Sequence, residues 1–319
     1  MGNLKIINME DVEVKEVEWL WYPYIPYGKI TIVQGDPGEG KTTAILRIAA
    51  MLSMGEKLPC DDTEHEPITI IYQTAEDGLN DTVKPRLLDA GADCSKIKVI
   101  NESSKSLTML DERIEQAIAE TGARLIILDP IQAYIGAEIN MNSANETRAV
   151  MSNLGAIADK YSCAIVLIGH MNKGSGNKST YRGLGSIDFQ AVARSVLVVG
   201  RVKDKPQIRV IAQSKSSLAP EGDSIAFELD KGTGFKWIGK YDISVDDLLS
   251  GTQKENKSEV AESLLRELLK NEKLSQNEIM QSMKYENISK RTVDEVKKKI
   301  GIKSLKISDK WYWELPKEI

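Results

Sequence analysis

The stretch GDPGEGKTT, residues 35–43, places two glycines, a lysine and a threonine at fixed offsets directly after the apolar run KITIVQ. Glycines let successive backbone N–H groups curl towards one point, and a following helix adds the partial positive charge of its N-terminus. Gly35-x4-Gly40-Lys41-Thr42 is therefore a phosphate-binding loop (P-loop) in the strand-then-helix context that it requires. We expect contacts with a nucleotide from the whole loop: Gly35, Asp36, Pro37, Gly38, Glu39, Gly40, Lys41, Thr42 and Thr43.

The loop predicts ATP and Mg²⁺ as ligands. Lys41 is expected to reach the β- and γ-phosphates, and the Thr42 hydroxyl is expected to bind the magnesium ion. Such a site needs a second magnesium ligand at the end of a neighbouring strand. The run RLIILDP supplies one, because four apolar residues are followed by Asp129.

Hydrolysis also needs a group that positions water. The run IIYQTAED places Glu76 and Asp77 just beyond a strand, where carboxylates face the phosphates in open α/β sheets. General-base assistance contributes about 10²–10⁴ in rate. We assign this role to Glu76, with Asp77 as the alternative.

The elements that must position these residues alternate along residues 29–240. Short Ile/Val-rich runs are separated by amphipathic helical stretches, and the runs are apolar almost throughout. This pattern predicts an α/β fold with a mostly parallel central sheet covered by helices on both faces. The last runs have no helices between them, so we expect antiparallel strands at one edge of the sheet.

Composition excludes several classes of protein. The net charge of −5 does not fit a basic nucleic-acid coat, and the three cysteines are too far apart for a metal site or a disulfide framework. They favour a reducing, cytoplasmic compartment. No apolar run approaches the length of a membrane span, and no signal peptide is evident, so we expect no membrane partner.

Residues 257–319 have a different pattern, with three amphipathic helices followed by two short strands around a polar turn. Ser caps are expected to open the second and third helices. This outline predicts a small winged helix-turn-helix domain, with Trp311 and Trp313 facing its core. Residues 252–319 hold 15 Lys/Arg and 12 Asp/Glu, a net +3, so the remainder carries −5 − 3 = −8.

We therefore expect four segments along the chain. Residues 1–28 are predicted to pack on the core as an N-terminal segment, and residues 29–245 to form the ATPase core. Residues 246–256 are polar and contain a glycine, which is typical of a linker. Residues 257–319 would be the winged-helix-like domain.

The order of the motifs P-loop, TAED, ILDP, LIGH, RGLGSIDFQAVAR and AQSKSSLAP resembles the RecA-like AAA-family P-loop ATPases. Within that family it is similar to the RepA-type replicative helicases of plasmids and phages, and more distantly to DnaB and RadA. The resemblance covers roughly residues 15–240. It implies a RecA-like core, ATP hydrolysis, and assembly into a homo-oligomeric ring, a hexamer.

The resemblance also implies three further roles. His170, at the end of AIVLIGH, would sense the γ-phosphate. Arg194 matches the arginine finger that acts on a neighbouring subunit's nucleotide, and such fingers contribute about 10³–10⁵ in kcat. Lys215 matches the lysine of a K-x-R-x-G-P stretch, in which Ser217 here replaces the arginine.

Nucleic-acid contacts are predicted in both parts of the chain. In the core, the loops 136–148 and 171–186 follow the same strand ends as the DNA-binding loops of the family, so the resemblance implies that they bind single-stranded DNA. Lys173, Lys178 and Arg182 in the second loop would neutralise its phosphates. The alternative is that both are ordinary surface loops. In the small domain, the basic residues on or beside the third helix would contact duplex DNA: Lys290, Arg291, Lys297 and Lys298. Because the same helix also carries acidic residues, the alternative is that it docks to a replication protein.

Together these features predict an ATP-hydrolysing motor on DNA, a replicative helicase or translocase of a phage, plasmid or integrated mobile element. Two alternatives remain from the sequence. One is a DNA-binding regulator that uses ATP as a switch, and the other is a recombinase-like ATPase that forms filaments.

Overall fold

Apolar runs in the first 240 residues form one nine-stranded sheet. The computed structural model describes residues 6–136, 139, 143–171, 187–230, 232–250, 257–270, 273–286, 288–307 and 309–316. The strands of this part of the chain are β1 (Trp19–Trp21), β2 (Ile25–Pro26), β3 (Ile30–Gly35), β4 (Ile70–Thr74), β5 (Ile97–Lys98), β6 (Leu125–Asp129), β7 (Ala164–His170), β8 (Ser195–Val202), β9 (Lys205–Ser216), β10 (Ile225–Asp230) and β11 (Gly234–Lys240). The helices are α1 (Lys41–Met54), α2 (Lys84–Asp89), α3 (Glu112–Thr121), α4 (Ala144–Tyr161), α5 (Ile187–Val192) and α6 (Val245–Ser250).

The strand order in the sheet is β11-β10-β9-β8-β3-β7-β6-β4-β5. Strands β8, β3, β7, β6, β4 and β5 run parallel, and β9, β10 and β11 extend the sheet with antiparallel pairs beyond β8. The predicted α/β class, with a mostly parallel sheet and antiparallel strands at one edge, is confirmed. Because β3, β7, β6 and β4 are parallel neighbours, their carboxyl ends lie side by side. We call this border of the sheet, formed by the strand ends and not by an outer strand, the P-loop edge.

Helices cover both faces of the sheet, as the apolar strands require. On one face, α1 and α2 pack with the β1–β2 hairpin around residues such as Trp21, Leu46 and Tyr72. On the other face, α3, α4 and α5 pack around residues such as Ile114 and Leu154.

The N-terminal segment divides into two parts. Residues 19–28 pack on the core, with Leu20 and Trp21 fully buried. Residues 6–18 are exposed, although residues 1–28 as a whole were expected to pack. The exposed part alternates valines with acids, and no strand of the described chain pairs with it.

The core extends further than the sequence predicted. Residues 246–250, expected to begin the linker, belong to helix α6. Ser244 Oγ accepts a hydrogen bond from the Asp247 N–H at 3.1 Å and so caps this helix, while Leu248 is buried against Gly200. Residues 246–250 are mostly polar, but the buried side chain of Leu248 packs them against the sheet.

Residues from Thr252 onwards form a separate compact unit. Its elements are α7 (Lys257–Leu268), β12 (Leu274–Ser275), α8 (Gln276–Tyr285), α9 (Lys290–Lys299), β13 (Lys303–Ile307) and β14 (Lys310–Glu314). The strands form a small antiparallel sheet in the order β12-β14-β13. Ser275 and Ser289 cap α8 and α9 as expected. The winged-helix assignment itself stays a prediction.

The two tryptophans of this unit differ in burial. Trp313 is 1% exposed, whereas Trp311 is 49% exposed, so the expectation that both face the core is wrong for Trp311. Both side chains lie on the same face of β14, but only Trp313 has β12 beside it. Trp311 lies nearer the hairpin turn, beyond the end of β12.

No helix in the described ranges is both long enough and apolar enough to cross a lipid bilayer.

Because each unit has its own buried core, we expect their thermal transitions to be separable. Leu265 is 0% exposed in the core of the second unit, and truncating a buried leucine costs about 2–5 kcal/mol. Leu265→Ala should lower only the transition of the second unit in differential scanning calorimetry of the full chain. The exposed Glu267→Ala on the same helix is the matched control. A shift of a single shared transition would contradict this prediction.

Candidate nucleotide-binding site

The P-loop joins the end of β3 to the start of α1, and two glycines are required by its shape. A Cβ on Gly35 would lie 2.1 Å from the carbonyl oxygen of Val199 on the neighbouring strand. Gly40, the N-cap of α1, has φ +88°, a left-handed conformation that L side chains rarely adopt. Helix α1 then begins at Lys41, so its free N–H groups point into the loop.

Lys41 is the buried cation of this loop, with 5% of its surface exposed. Its Nζ donates to the carbonyl oxygens of Gly35 at 2.9 Å and Asp36 at 2.8 Å, and lies 3.4 Å from His170 Nδ1. Burial lowers the pKa of Lys41, and the negative charge of Asp129 is the leading opposing influence. A cation held only by neutral partners in this way is suited to receive phosphate oxygens.

Thr42 and Asp129 meet at the P-loop edge. Thr42 Oγ1 donates to Asp129 Oδ2 at 2.6 Å, and the buried Tyr72 hydroxyl donates to the same oxygen at 3.1 Å. Burial raises the pKa of Asp129, whereas these two hydrogen bonds lower it. The sequence patterns did not identify Tyr72; its only signal was a phenol directly after two isoleucines in the run IIYQT.

The residues at this point fit a magnesium ion. Mg²⁺ prefers oxygen ligands and is usually held by one or two protein groups together with substrate phosphates. Thr42 and Asp129 supply a hydroxyl and a carboxylate, and the described residues contain no cluster of three or more His, Cys, Asp or Glu that would suit another metal.

The two candidate carboxylates after β4 have different surroundings. Asp77 Oδ2 forms an ion pair with Arg86 at 2.7 Å, so its charge is already matched. Glu76 is exposed at the P-loop edge, two residues beyond the pairing of Thr74 with Asp129. Its negative charge is among those that oppose the lowering of the Lys41 pKa by burial. The geometry therefore favours Glu76 over Asp77 for positioning water.

His170 lies directly beside the loop, because β7 pairs with β3 and His170 is in register with Gly35. The half-buried imidazole is therefore next to Lys41. The chain that follows carries Lys173, Lys178 and Arg182, which lie outside the described residues.

Arg194 lies at the opposite edge of the sheet, whereas Lys215 pairs with Val196 and is level with Ile32, between that edge and the P-loop. The Arg194 N–H donates to the carbonyl oxygen of Ile30, the first residue of β3, at 3.0 Å. Lys215 Nζ donates to the main-chain carbonyl oxygen of Gln190 at 2.6 Å, and burial and the nearby Arg194 charge lower the pKa of Lys215. From Ile30 to Gly35 is five residues of β3, so the Arg194 backbone is roughly 17 Å from the P-loop at about 3.3 Å per residue, and Lys215 is roughly 10 Å from it.

Two cavities lie near these residues. A cavity of about 210 Å³ adjoins the start of α1 and is lined by Thr43, Leu46, Arg47, Arg86, Asp89, Leu229, Gly234 and Phe235. Arg47 lies over the Phe235 ring at 5.1 Å and forms an ion pair with Asp89. A larger cavity of about 920 Å³ includes Lys215 and contains no P-loop residue.

The basic residues of α9 differ in accessibility. Lys290, Arg291 and Lys298 are exposed, and Arg291 pairs with Glu295 at 2.9 Å. Lys297 is half-buried, because its Nζ lies 4.0 Å from the Trp313 ring centre and donates to Ser304 Oγ at 2.6 Å. Its aromatic and hydroxyl partners hold Lys297 within its own unit, so it is the least available of the four for an outside ligand.

Comparisons with known proteins agree with this geometry. Residues 4–176 match the AAA domain family, which is more than half of the chain. The chain is 29% identical over 165 residues to DNA repair protein RadA of Halalkalibacterium halodurans and 26% identical over 148 residues to that of Bacillus subtilis. These alignments cover 51% and 46% of this chain, but only 32% and 28% of the two RadA proteins. The chain thus spans about a third or less of the length of these relatives.

The fold is similar to the ATPase domain of G40P, with a TM-score of 0.50 and 13% identity. The superposition covers 67% of this chain and 85% of that domain. The family match extends across the P-loop, Asp129 and His170, the residues that the structure brings together. The chain therefore belongs to the AAA domain family, and its core is a RecA-like P-loop ATPase.

Proposed function

We propose that this chain hydrolyses ATP as a ring-shaped motor on DNA, with the task of a replicative helicase or translocase of a phage, plasmid or integrated mobile element. The observation that carries the hydrolytic part is the meeting of Thr42 with Asp129, beside Lys41 and His170, at one edge of the sheet. The RadA relatives are DNA repair proteins by name, which supports DNA as the partner.

The residues at the P-loop edge have complementary tasks in hydrolysis. Lys41 neutralises the β- and γ-phosphates and exchanges its two loop carbonyls for phosphate oxygens. Thr42 and Asp129 would hold Mg²⁺, which withdraws charge from the phosphates when bound. Glu76 orients a water molecule towards the γ-phosphorus and takes its proton, while His170 contacts the γ-phosphate. The bond to the β-phosphate oxygen breaks, giving ADP and phosphate.

The 210 Å³ cavity beside α1 is proposed to receive the base of the nucleotide. It lies next to Thr43, directly after the magnesium-binding Thr42, and combines apolar Leu229 and Phe235 with the polar Arg86. Apolar walls with a few placed polar groups are typical of small-ligand sites.

Two features support a homo-oligomer in which subunits share active sites. The Arg194 backbone lies roughly 17 Å along the sheet from its own P-loop, beyond the reach of its side chain, so Arg194 would act on another copy's nucleotide. Lys215 lies nearer, level with Ile32 of β3. The exposed stretch 6–18 also presents apolar side chains without a partner in the described chain, among them Ile6, Met9 and Val14. We expect a ring of six.

The second unit is proposed to bind duplex DNA or a replication protein. Exposed Lys290, Arg291 and Lys298 lie on α9, and the unit is the basic part of an acidic chain. The same observation also supports an ATP-switched DNA-binding regulator, which would bind a specific duplex tightly and hydrolyse slowly. A recombinase-like ATPase would instead form helical filaments on DNA.

Two substitutions test the catalytic assignment. Lys41→Ala should abolish ATP turnover, because it removes the charge that neutralises the β- and γ-phosphates. Glu76→Gln should bind ATP with unchanged affinity and lose about 10²-fold or more in kcat, since it orients water without binding the nucleotide. Phosphate release and calorimetric titration measure both effects, with the exposed Glu120→Gln as the control. Unchanged kcat in Glu76→Gln would remove this residue from the reaction.

Shared sites predict complementation between two inactive proteins. Arg194→Ala should bind ATP normally and hydrolyse it poorly, as should Glu76→Gln. A mixture of the two should regain part of the turnover, because some interfaces pair an intact Glu76 with an intact Arg194. If the mixture stays inactive although mass photometry shows mixed assemblies, Arg194 does not act across an interface.

DNA dependence separates the motor from its alternatives. Single-stranded DNA of any sequence should stimulate the ATPase, and the protein should unwind duplex DNA into its two strands. Electron microscopy should show rings. A chain ending at residue 251 should keep its basal ATPase and lose duplex affinity, with the salt slope lowered by about 0.9 for each lost phosphate contact. Sequence-specific duplex binding with slow hydrolysis would favour the regulator, and filaments would favour the recombinase.

A further inference from the structure

Two arginines lie beside the P-loop on the antiparallel part of the sheet, and neither is explained by the catalytic assignments. Arg201 near the end of β8 and Arg209 in β9 are directly opposite in the strand register. Both lie against the P-loop of their own subunit: Arg201 Nη2 is 3.4 Å from the Gly38 carbonyl oxygen, and Arg209 Cδ lies 3.3 Å from where a Cβ of Gly40 would be. Like charges directly opposite one another destabilise a strand pair.

Arg209 is a buried cation whose charge is not matched. Only 7% of its surface is exposed, and among the residues that the structure describes it forms no ion pair. Its Nη1 donates to the carbonyl oxygen of Pro206 and, at 3.5 Å, to that of Leu229, while its Nε is buried with no hydrogen-bond partner. Leaving a buried charge and a buried donor unmatched is costly for a folded protein.

The surroundings leave a positive surplus at this point. Glu39 of the P-loop is the nearby acid, but it lies 3.6 Å from Arg201 and its other carboxylate oxygen has no partner. Burial lowers the pKa of Arg209, Arg201 lowers it further, and Glu39 opposes both. One carboxylate thus faces two guanidinium groups, and Lys41 is the next cation along the loop.

We propose that Arg209 is a phosphate-binding residue of the subunit's own nucleotide site, acting from within the chain that carries the P-loop. Its ligand is the phosphate chain of a nucleoside di- or triphosphate, which supplies the missing negative charge and an acceptor for Nε. Arg201 holds the loop through Gly38 and Glu39 and positions Arg209 by repulsion. This inference rests on the proposed binding of ATP and differs from the role of Arg194, which serves a neighbour.

A phosphate-binding role and a structural role of Arg209 predict opposite changes in stability. If Arg209 binds phosphate, its charge is unmatched in the nucleotide-free protein. Arg209→Met then removes an unmatched buried cation, and the nucleotide-free protein should melt at the same or a higher temperature. The affinity for ATP and ADP should then fall on the order of tenfold to a hundredfold, the range for a hydrogen bond to a charged group. If Arg209 only supports β9 and β10, the nucleotide-free protein should be destabilised while affinity stays unchanged.

The test uses the full chain, thermal melts without nucleotide, and calorimetric titration with ATP and ADP. Arg209→Gln keeps a side-chain donor without the charge and should lose affinity like Arg209→Met, whereas the exposed Arg266→Met in the second unit is the control for losing an arginine. Affinities within twofold of wild type, or failure of both Arg209 variants to fold, would overturn this inference. Absence of ATP binding by the wild-type chain would overturn the proposed function as well.

Discussion

Everything at the nucleotide site depends on one constraint, that parallel neighbouring strands end at the same edge of a sheet. Strands β3, β7, β6 and β4 are consecutive neighbours, so Gly35, His170, Asp129 and Thr74 are brought together although they are far apart in the chain. The hydrogen bond from Thr42 to Asp129 forms across this edge. Without the parallel order, the P-loop would be a turn with no second oxygen ligand nearby.

The same constraint separates Arg194 from the basic residues at the P-loop edge. The P-loop edge holds Lys41 together with Arg201 and Arg209, whereas the opposite edge holds Arg194, and Lys215 lies between the two. A side chain at one edge cannot reach a ligand at the other within one copy. In our proposal Arg194 therefore serves a neighbour's site, and this is why subunit contacts and hydrolysis would be coupled.

Charge burial is managed in two ways around the loop. Lys41 is satisfied by the loop carbonyls, and Asp129 accepts hydrogen bonds from Thr42 and Tyr72, so these groups tolerate low exposure. Arg209 is different, because one of its donors has no partner and a second arginine lies opposite. Buried groups that stay unmatched in a folded chain are candidates for ligand contacts, since a ligand can supply the matching charge.

The sequence by itself determined the α/β core, the P-loop and the strand-end Asp129, because each is a local pattern with a mechanism: glycines at a strand–helix junction, and an acid after an apolar run. It also anticipated the serine caps of α8 and α9. Tertiary structure alone decided what depends on neighbours distant in the chain. Leu248 holds α6 against Gly200 where a linker was expected, and Trp311 is exposed because β12 ends before reaching it. No sequence pattern identified Tyr72 or Arg209, since only the pairing of strands places one beside Asp129 and the other beside Gly40.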